Sequence, residues 1–246
     1  MFDMRGMSGI GGKQQDEYDE EAAVLYPGLS GEESQLRWGL VRKVYGILGA
    51  QLVLTALVAA LVVLCRPLSL FLLNAPFLLF LLAITPFIVM CPMYYYRQKH
   101  PVNFVLLSIF TVSLSFTVGF SCAFTSGEIV LEALILTAVV VLSLTAYTFW
   151  AAQKGYDFSF LGPFLFTSLI LIIVFGFIQM FFPLGPFPTM VYGGLGALIF
   201  CGYIIYDTDH LIKRFSYDEY IWASVVLYLD ILNLFIMLMD LLKSSR

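Results

Sequence analysis

Charge is scarce in this sequence: 12% of its 246 residues are Asp, Glu, Lys or Arg, against 60% hydrophobic residues and a mean hydropathy of +0.90. One soluble core cannot bury so much apolar surface, so a water-soluble globular domain is excluded and lipid is the solvent for most of the chain. Histidine is nearly absent. His100 and His210 lack a second His or Cys at metal spacing, which leaves no dedicated metal site and makes both solvated surface residues. The four cysteines, Cys65, Cys91, Cys122 and Cys201, fall in or beside different apolar runs without a paired framework, and read as small packing residues. The net charge of -4 comes largely from the stretch before Gln35, so no basic patch marks a nucleic-acid partner. The sequence has no Asn-x-Ser/Thr acceptor, and no phosphate loop, since no basic residue follows the glycines near Gly193. The opening Met1-Phe2-Asp3 lacks the glycine of a myristoylation signal and the layout of a cleaved signal peptide, so the first helix is expected to act as its own insertion signal.

What the sequence has in quantity is apolar runs of about 20 residues, long enough to cross a hydrocarbon core of about 30 Å as helices. Backbone groups in lipid need internal hydrogen bonds, which makes helix the only open choice for such runs. Residues 1–36 read as a flexible acidic cytosolic tail and 37–246 as a seven-helix transmembrane domain, an all-α integral membrane protein. A basic, Trp-bearing segment from Arg37 to Lys43 leads into helix 1 at 44–65, which Arg66-Pro67 ends. Helix 2 runs from Pro76 to Tyr96 with Pro86 and Pro92 inside it. Helix 3 ends near Phe124, helix 4 spans Glu128 to Trp150, helix 5 Phe158 to Phe182, helix 6 Thr189 to Arg214 and helix 7 Tyr217 to Leu242. Ser216 and Glu219 have the spacing of a capping box for helix 7, and Gly193 and Ala197 the small-xxx-small spacing of close helix packing. With the amino terminus cytosolic, Arg5, Lys13, Arg37, Arg42, Lys43, Arg97, Lys99, Lys154, Lys213 and Arg214 fall on the cytosolic side and only Arg66, Lys243 and Arg246 opposite, as the positive-inside rule asks. Trp38, Trp150 and Trp222 share the cytosolic face, as an aromatic belt does.

An ionisable group inside a lipid-spanning helix costs about 2.5 to 3.5 kcal/mol even on the milder insertion scale, so each needs an explanation. Asp207, in Tyr206-Asp207-Thr208, and Asp230, in Leu229-Asp230-Ile231, stand out on consecutive antiparallel helices. Brought together in a low-dielectric site, two carboxylates cannot both ionise cheaply and are expected to share a proton, which makes a proton-sensitive latch. Their depths differ by about 9 Å if helix 7 begins at Tyr217, and tilt, a helix break or a bridging group must close that gap. Arg97 or Lys213 is a candidate counter-charge, and the plainer alternative is two separate interhelical polar contacts. Calcium favours oxygen ligands, but two carboxylates fall short of its usual 6 to 8, so any calcium at the pair is transient. Glu132, one turn below Glu128, is a candidate for the same cavity or for a polar helix end, and Asp240 reads as interfacial. Intramembrane aspartyl proteases also use two membrane aspartates, but their Gly-x-Gly before the second Asp and their Pro-Ala-Leu segment are absent. A rhodopsin-like receptor needs the opposite orientation. The chain is therefore expected not to be an enzyme and to need no cofactor.

These residues also carry a resemblance. The run Tyr206-Asp207-Thr208, then Tyr217-Asp218-Glu219-Tyr220-Ile221, then Leu227-Tyr228-Leu229-Asp230-Ile231-Leu232-Asn233-Leu234-Phe235 resembles the Bax-inhibitor-motif transmembrane family. The likeness is greatest to a plant-type version of its Lifeguard branch, with Ile129-Val130-Leu131-Glu132-Ala133 and Asp157-Phe158-Ser159-Phe160-Leu161 in support. The resemblance implies a seven-helix bundle with the last helix central, a pH-sensitive calcium leak across internal membranes (endoplasmic reticulum, Golgi or vacuole) and suppression of stress-induced cell death. It places Asp207 and Asp230 on the family's paired aspartates and makes Arg97 the counterpart of an arginine linked to that pair in bacterial relatives. Asp209 stands near the position where the family has Gln or Asn. The implied partners are calcium ions, protons and membrane lipids, with other membrane proteins as further candidates. The alternative function is a non-conducting scaffold that regulates death factors or calcium channels.

Overall fold

A computed structural model describes residues 31–182 and 185–246. Its helices are α1 (Gly31–Leu64), α2 (Arg66–Asn74), α3 (Pro76–Tyr95), α4 (Val102–Ala123), α5 (Gly127–Gln153), α6 (Leu161–Phe181), α7 (Pro186–Lys213) and α8 (Tyr220–Ser244), with no strand among the described residues. All except α2 are long and apolar enough to cross a bilayer; α2, at 9 residues, covers only about 14 Å. The chain is a multi-pass membrane protein built as a seven-helix bundle. Its outer surface is apolar, with Phe77, Phe80, Phe87, Phe164 and Leu171 exposed, as a surface solvated by lipid requires.

Several boundaries differ from the sequence reading. The first helix begins at Gly31, so residues 31–36 belong to it rather than to the tail, and the basic segment from Arg37 to Lys43 is helical. The rest of the proposed tail lies outside the described residues. At the other end of the chain, α7 starts at Pro186, since a proline in the first turn loses no hydrogen bond. The last helix starts at Tyr220, not Tyr217. Glu219 does reach back, its Oε2 accepting the Ser216 N–H at 3.2 Å. This closes a turn rather than capping the helix, because Glu219 itself precedes α8 and makes no side-chain cap. Pro86 and Pro92 both lie inside α3.

The helices alternate between a proximal end, which carries the 96–101, 154–160 and 214–219 connections, and a distal end, where α1 finishes. Trp38, Trp150 and Trp222 all sit at the proximal end. The last helix is the axis: it touches α1, α4, α5 and α7, and 50% of its most apolar window is buried, against 17 to 39% for the other spans. Two glycines set how closely helices approach. A Cβ on Gly193 would lie 2.9 Å from the Leu241 nitrogen and the Met237 oxygen, so α7 meets the backbone of α8 there. On Gly119 it would lie 2.9 Å from the Cα of Ala59, which pins α4 against α1.

Candidate functional site

Asp207 and Asp230 meet in the core between α7 and α8. They are 7% and 5% exposed, and their carboxyls lie within hydrogen-bonding reach of each other. The depth offset of about 9 Å falls to about 6 Å because α8 begins three residues later than expected, and the connection from Arg214 to Glu219 lets the two helices end at different levels. Tyr203, one turn before Asp207 on α7, lies close enough to both carboxylates to feel their charge. Ile204 and Leu234, 1% and 0% exposed, belong to the apolar cluster on the same helices. Oδ2 of Asp230 is buried with no hydrogen-bond donor. A pair of carboxyls this close, lacking donors, is chemically suited to holding one proton or a passing cation between its oxygens.

The candidate counter-charges are engaged elsewhere. Arg97 is paired with Glu219 at 3.1 Å and its guanidinium lies 4.5 Å from the Tyr94 ring centroid, so it belongs to the proximal surface and not to the aspartates. The connection from Arg214 to Glu219 brings Glu219 to that surface, which the sequence separation conceals. Lys213 pairs with Asp209 and also donates to the Tyr156 carbonyl. Asp209 is fully buried, two positions from Asp207 and so on another face of α7. Its Oδ2 accepts the Phe158 N–H at 3.4 Å. Arg214 completes the same dock, donating to Ser159 Oγ at 2.5 Å and reaching Asp157 at 3.5 Å. The Asp157–Leu161 stretch is thus the loop that fastens the α5–α6 connection to the end of α7. Glu132 does not join the aspartates: it binds Arg246 at 2.6 Å at the distal end, with Glu128 3.6 Å from the same guanidinium. Among the described residues no group of three His, Cys, Asp or Glu side chains converges as a metal centre would.

The opposite face of α8 carries a hydrogen-bonded seam that the sequence reading missed. Gln51 Nε2 donates to Thr111 Oγ1 at 3.0 Å, Ser115 Oγ lies 3.1 Å from Thr55 Oγ1, and the Tyr228 hydroxyl lies 2.6 Å from Thr55 Oγ1. All five residues are buried, and they join α1, α4 and α8 through neutral groups. The only signal for it was the spacing of Thr111 and Ser115 on one face of α4, with an amide, Gln51, inside an apolar run.

Comparison with known proteins accords with this architecture. Residues 37–246 match the family described as "Inhibitor of apoptosis-promoting Bax1". The chain is 64% identical over 243 residues to the "BI1-like protein" of Arabidopsis thaliana, covering 98% of this chain and 95% of the relative. It is 61% identical over 225 residues to "Protein LIFEGUARD 4" of the same plant, covering 90% and 91%. A more distant similarity, 38% over 211 residues and covering 86% and 87%, links it to the "Golgi anti-apoptotic protein" of Vaccinia virus (strain Lister). A family match that spans every membrane-crossing helix, with plant relatives alike over nearly their whole length, means that this chain belongs to the Bax-inhibitor family, in its plant-type Lifeguard branch.

Proposed function

We propose that the protein is a pH-sensitive calcium leak of an intracellular membrane and a negative regulator of stress-induced cell death. The leak rests on one observation, the contact of Asp207 with Asp230 in a lipid-embedded core. Two carboxylates at that separation do not both ionise without a cation between them. The basic groups that could serve are spent: Lys213 on Asp209, Arg214 on Asp157 and Arg97 on Glu219. A shared proton therefore holds α7 to α8. Its loss leaves two like charges, which part the helices and offer four oxygens to a calcium ion in transit, too few to retain it. The sign follows: flux is low when the pair is protonated and rises as pH rises through its titration. Protons and calcium are the working partners, the lipid bilayer is the setting, and no covalent chemistry or cofactor is involved.

Regulation of cell death is supported by the family description and by the anti-apoptotic name of the viral relative. The Golgi in that name supports an endomembrane, whether endoplasmic reticulum, Golgi or vacuole. The excess of Lys and Arg at the proximal end supports a cytosolic amino terminus.

The test is calcium flux through purified protein in liposomes from about pH 5 to about pH 8, for the native chain and for Asp207→Asn and Asp230→Asn. Flux that rises with pH in the native chain and becomes independent of pH in both variants is the expected result. Absence of flux from folded native protein overturns the leak and leaves the non-conducting scaffold as the reading.

A further inference from the structure

At the distal end a cleft of about 360 Å³ opens between α4 and α8, with α2 along one side. Ile236, Met239, Asp240 and Lys243 line it from the last turns of α8, with Ile236, Asp240 and Lys243 successively one turn apart. Facing them are Phe120 of α4, Phe124 just after its end, and Leu73 near the end of α2. The walls thus combine apolar and aromatic side chains with the hydroxyls of Ser121 and Thr125, and the rim carries one acid and one base.

Those two charges feel each other across one turn of α8 but do not touch. Neither Asp240 nor Lys243 forms an ion pair among the described residues, although Arg246 on the same helix holds both Glu128 and Glu132. Lys243 suits the negative end of a helix dipole, but Asp240 does not, and a half-buried acid near a helix carboxyl end calls for a cation. The cleft lies at the distal ends of α4 and α8, where helices of their length come out of a hydrocarbon core of about 30 Å and meet lipid headgroups. Its occupant must present a positive and a negative group a few ångströms apart, with an apolar body behind them.

We propose that this cleft binds the headgroup of a zwitterionic phospholipid carrying a primary ammonium, of the ethanolamine type. Its phosphate meets Lys243, its ammonium meets Asp240, and its acyl chains run down past Phe120, Phe124 and Met239. Side chains three residues apart on a helix are separated by about 5 to 6 Å at Cβ, a gap that a phosphate and an ammonium joined by two carbons span. A primary ammonium donates hydrogen bonds to a carboxylate and a quaternary one does not, which favours ethanolamine over choline headgroups. An anionic headgroup would satisfy Lys243 but face repulsion from Asp240.

The test is native mass spectrometry of the full chain, extracted from bilayers with equal parts of ethanolamine, choline and glycerol phospholipids. The expected result is retention of the ethanolamine lipid above its bulk share. Asp240→Asn lowers the preference for ethanolamine over choline by about tenfold, the loss of one charge-assisted hydrogen bond, and Lys243→Gln lowers retention of both. Ser121→Trp, which fills the cleft without altering its charge, abolishes retention. Enrichment of the anionic lipid, no lipid above its bulk share, or an unchanged preference in Asp240→Asn overturns the proposal.

Discussion

Asp157 and the Asp207/Asp230 pair answer pH in different ranges because their surroundings differ. Asp157 stands in the exposed α5–α6 connection. The Ser159 hydroxyl, then the Ser159 N–H, and more weakly Arg214 and Lys213, lower its pKa from 3.8 to about 2. A lowered value means that the folded loop favours the ionised form: the contribution is complete above 3.8 and is lost only as the pH falls through about 2. Asp157 therefore stays ionised from about pH 5 to about pH 8, and Asp157→Asn leaves the midpoint of the flux profile in liposomes where the native chain has it. A shifted midpoint would take the pH response away from the aspartate pair. Tyr228 makes a contrasting case, since its hydroxyl lies 2.6 Å from Thr55 while its ring packs at 6.3 Å from Phe110. Tyr228→Phe keeps the ring contact and loses one interhelical hydrogen bond, so it lowers stability by about 1 kcal/mol, read from unfolding in detergent.

The pairing of α7 with α8 brings the aspartates together, and Gly193 is the residue on which that pairing turns. A Cβ at Gly193 meets the backbone of α8 at 2.9 Å, whereas at the neighbouring Gly194 the nearest contact is the flexible end of Leu241 at 3.8 Å. Alanine gains about 1 kcal/mol of helix propensity over glycine at either site. At Gly193 the clash forces the helices apart, with an overpacking cost of about 1 to 3 kcal/mol. Gly193→Ala is thus expected to lower the melting temperature in detergent, and Gly194→Ala to hold or raise it; equal effects would show that the close approach is not limiting. The sequence exposed this element pair because acids interrupting apolar runs are conspicuous, and because seven such runs determine the architecture. It did not expose what hydropathy does not measure. Arg37, Arg42 and Lys43 lower hydropathy but not helicity, so the start of α1 was hidden. Arg97 finds Glu219 across 122 positions through a connection whose course no local pattern reveals. The seam through Gln51, Thr55 and Tyr228 consists of uncharged groups that blend into an apolar helix.

For the whole molecule, orientation decides which compartment the latch reads. Lys and Arg gather at the proximal end, from Arg37, Arg42 and Lys43 to Arg97, Lys99, Lys154, Lys213 and Arg214, against Arg66, Lys243 and Arg246 at the distal end. Ion pairs such as Lys213 with Asp209 do not cancel this bias, because acids contribute little to the positive-inside rule. The proximal end is therefore expected in the cytosol. The sequence has no glycosylation acceptor of its own, so an added one reports cleanly. In microsomes, an acceptor appended after Arg246 should be glycosylated and one placed before Gly31 should not; the reverse pattern would invert the bundle. Depth then links topology to regulation. Asp207 lies about 9 Å along α7 from its proximal end and about 32 Å from its distal start. A proton bound for the pair has the shorter route from the proximal side. Cytosolic acid should close the leak more readily than acid inside the store, and in liposomes of one known orientation a pH jump on the proximal face alone should reproduce most of the response seen when both faces change. A response reproduced by a pH jump on the distal face alone would mean that the proton takes the longer route along α7, and would overturn cytosolic control of the latch.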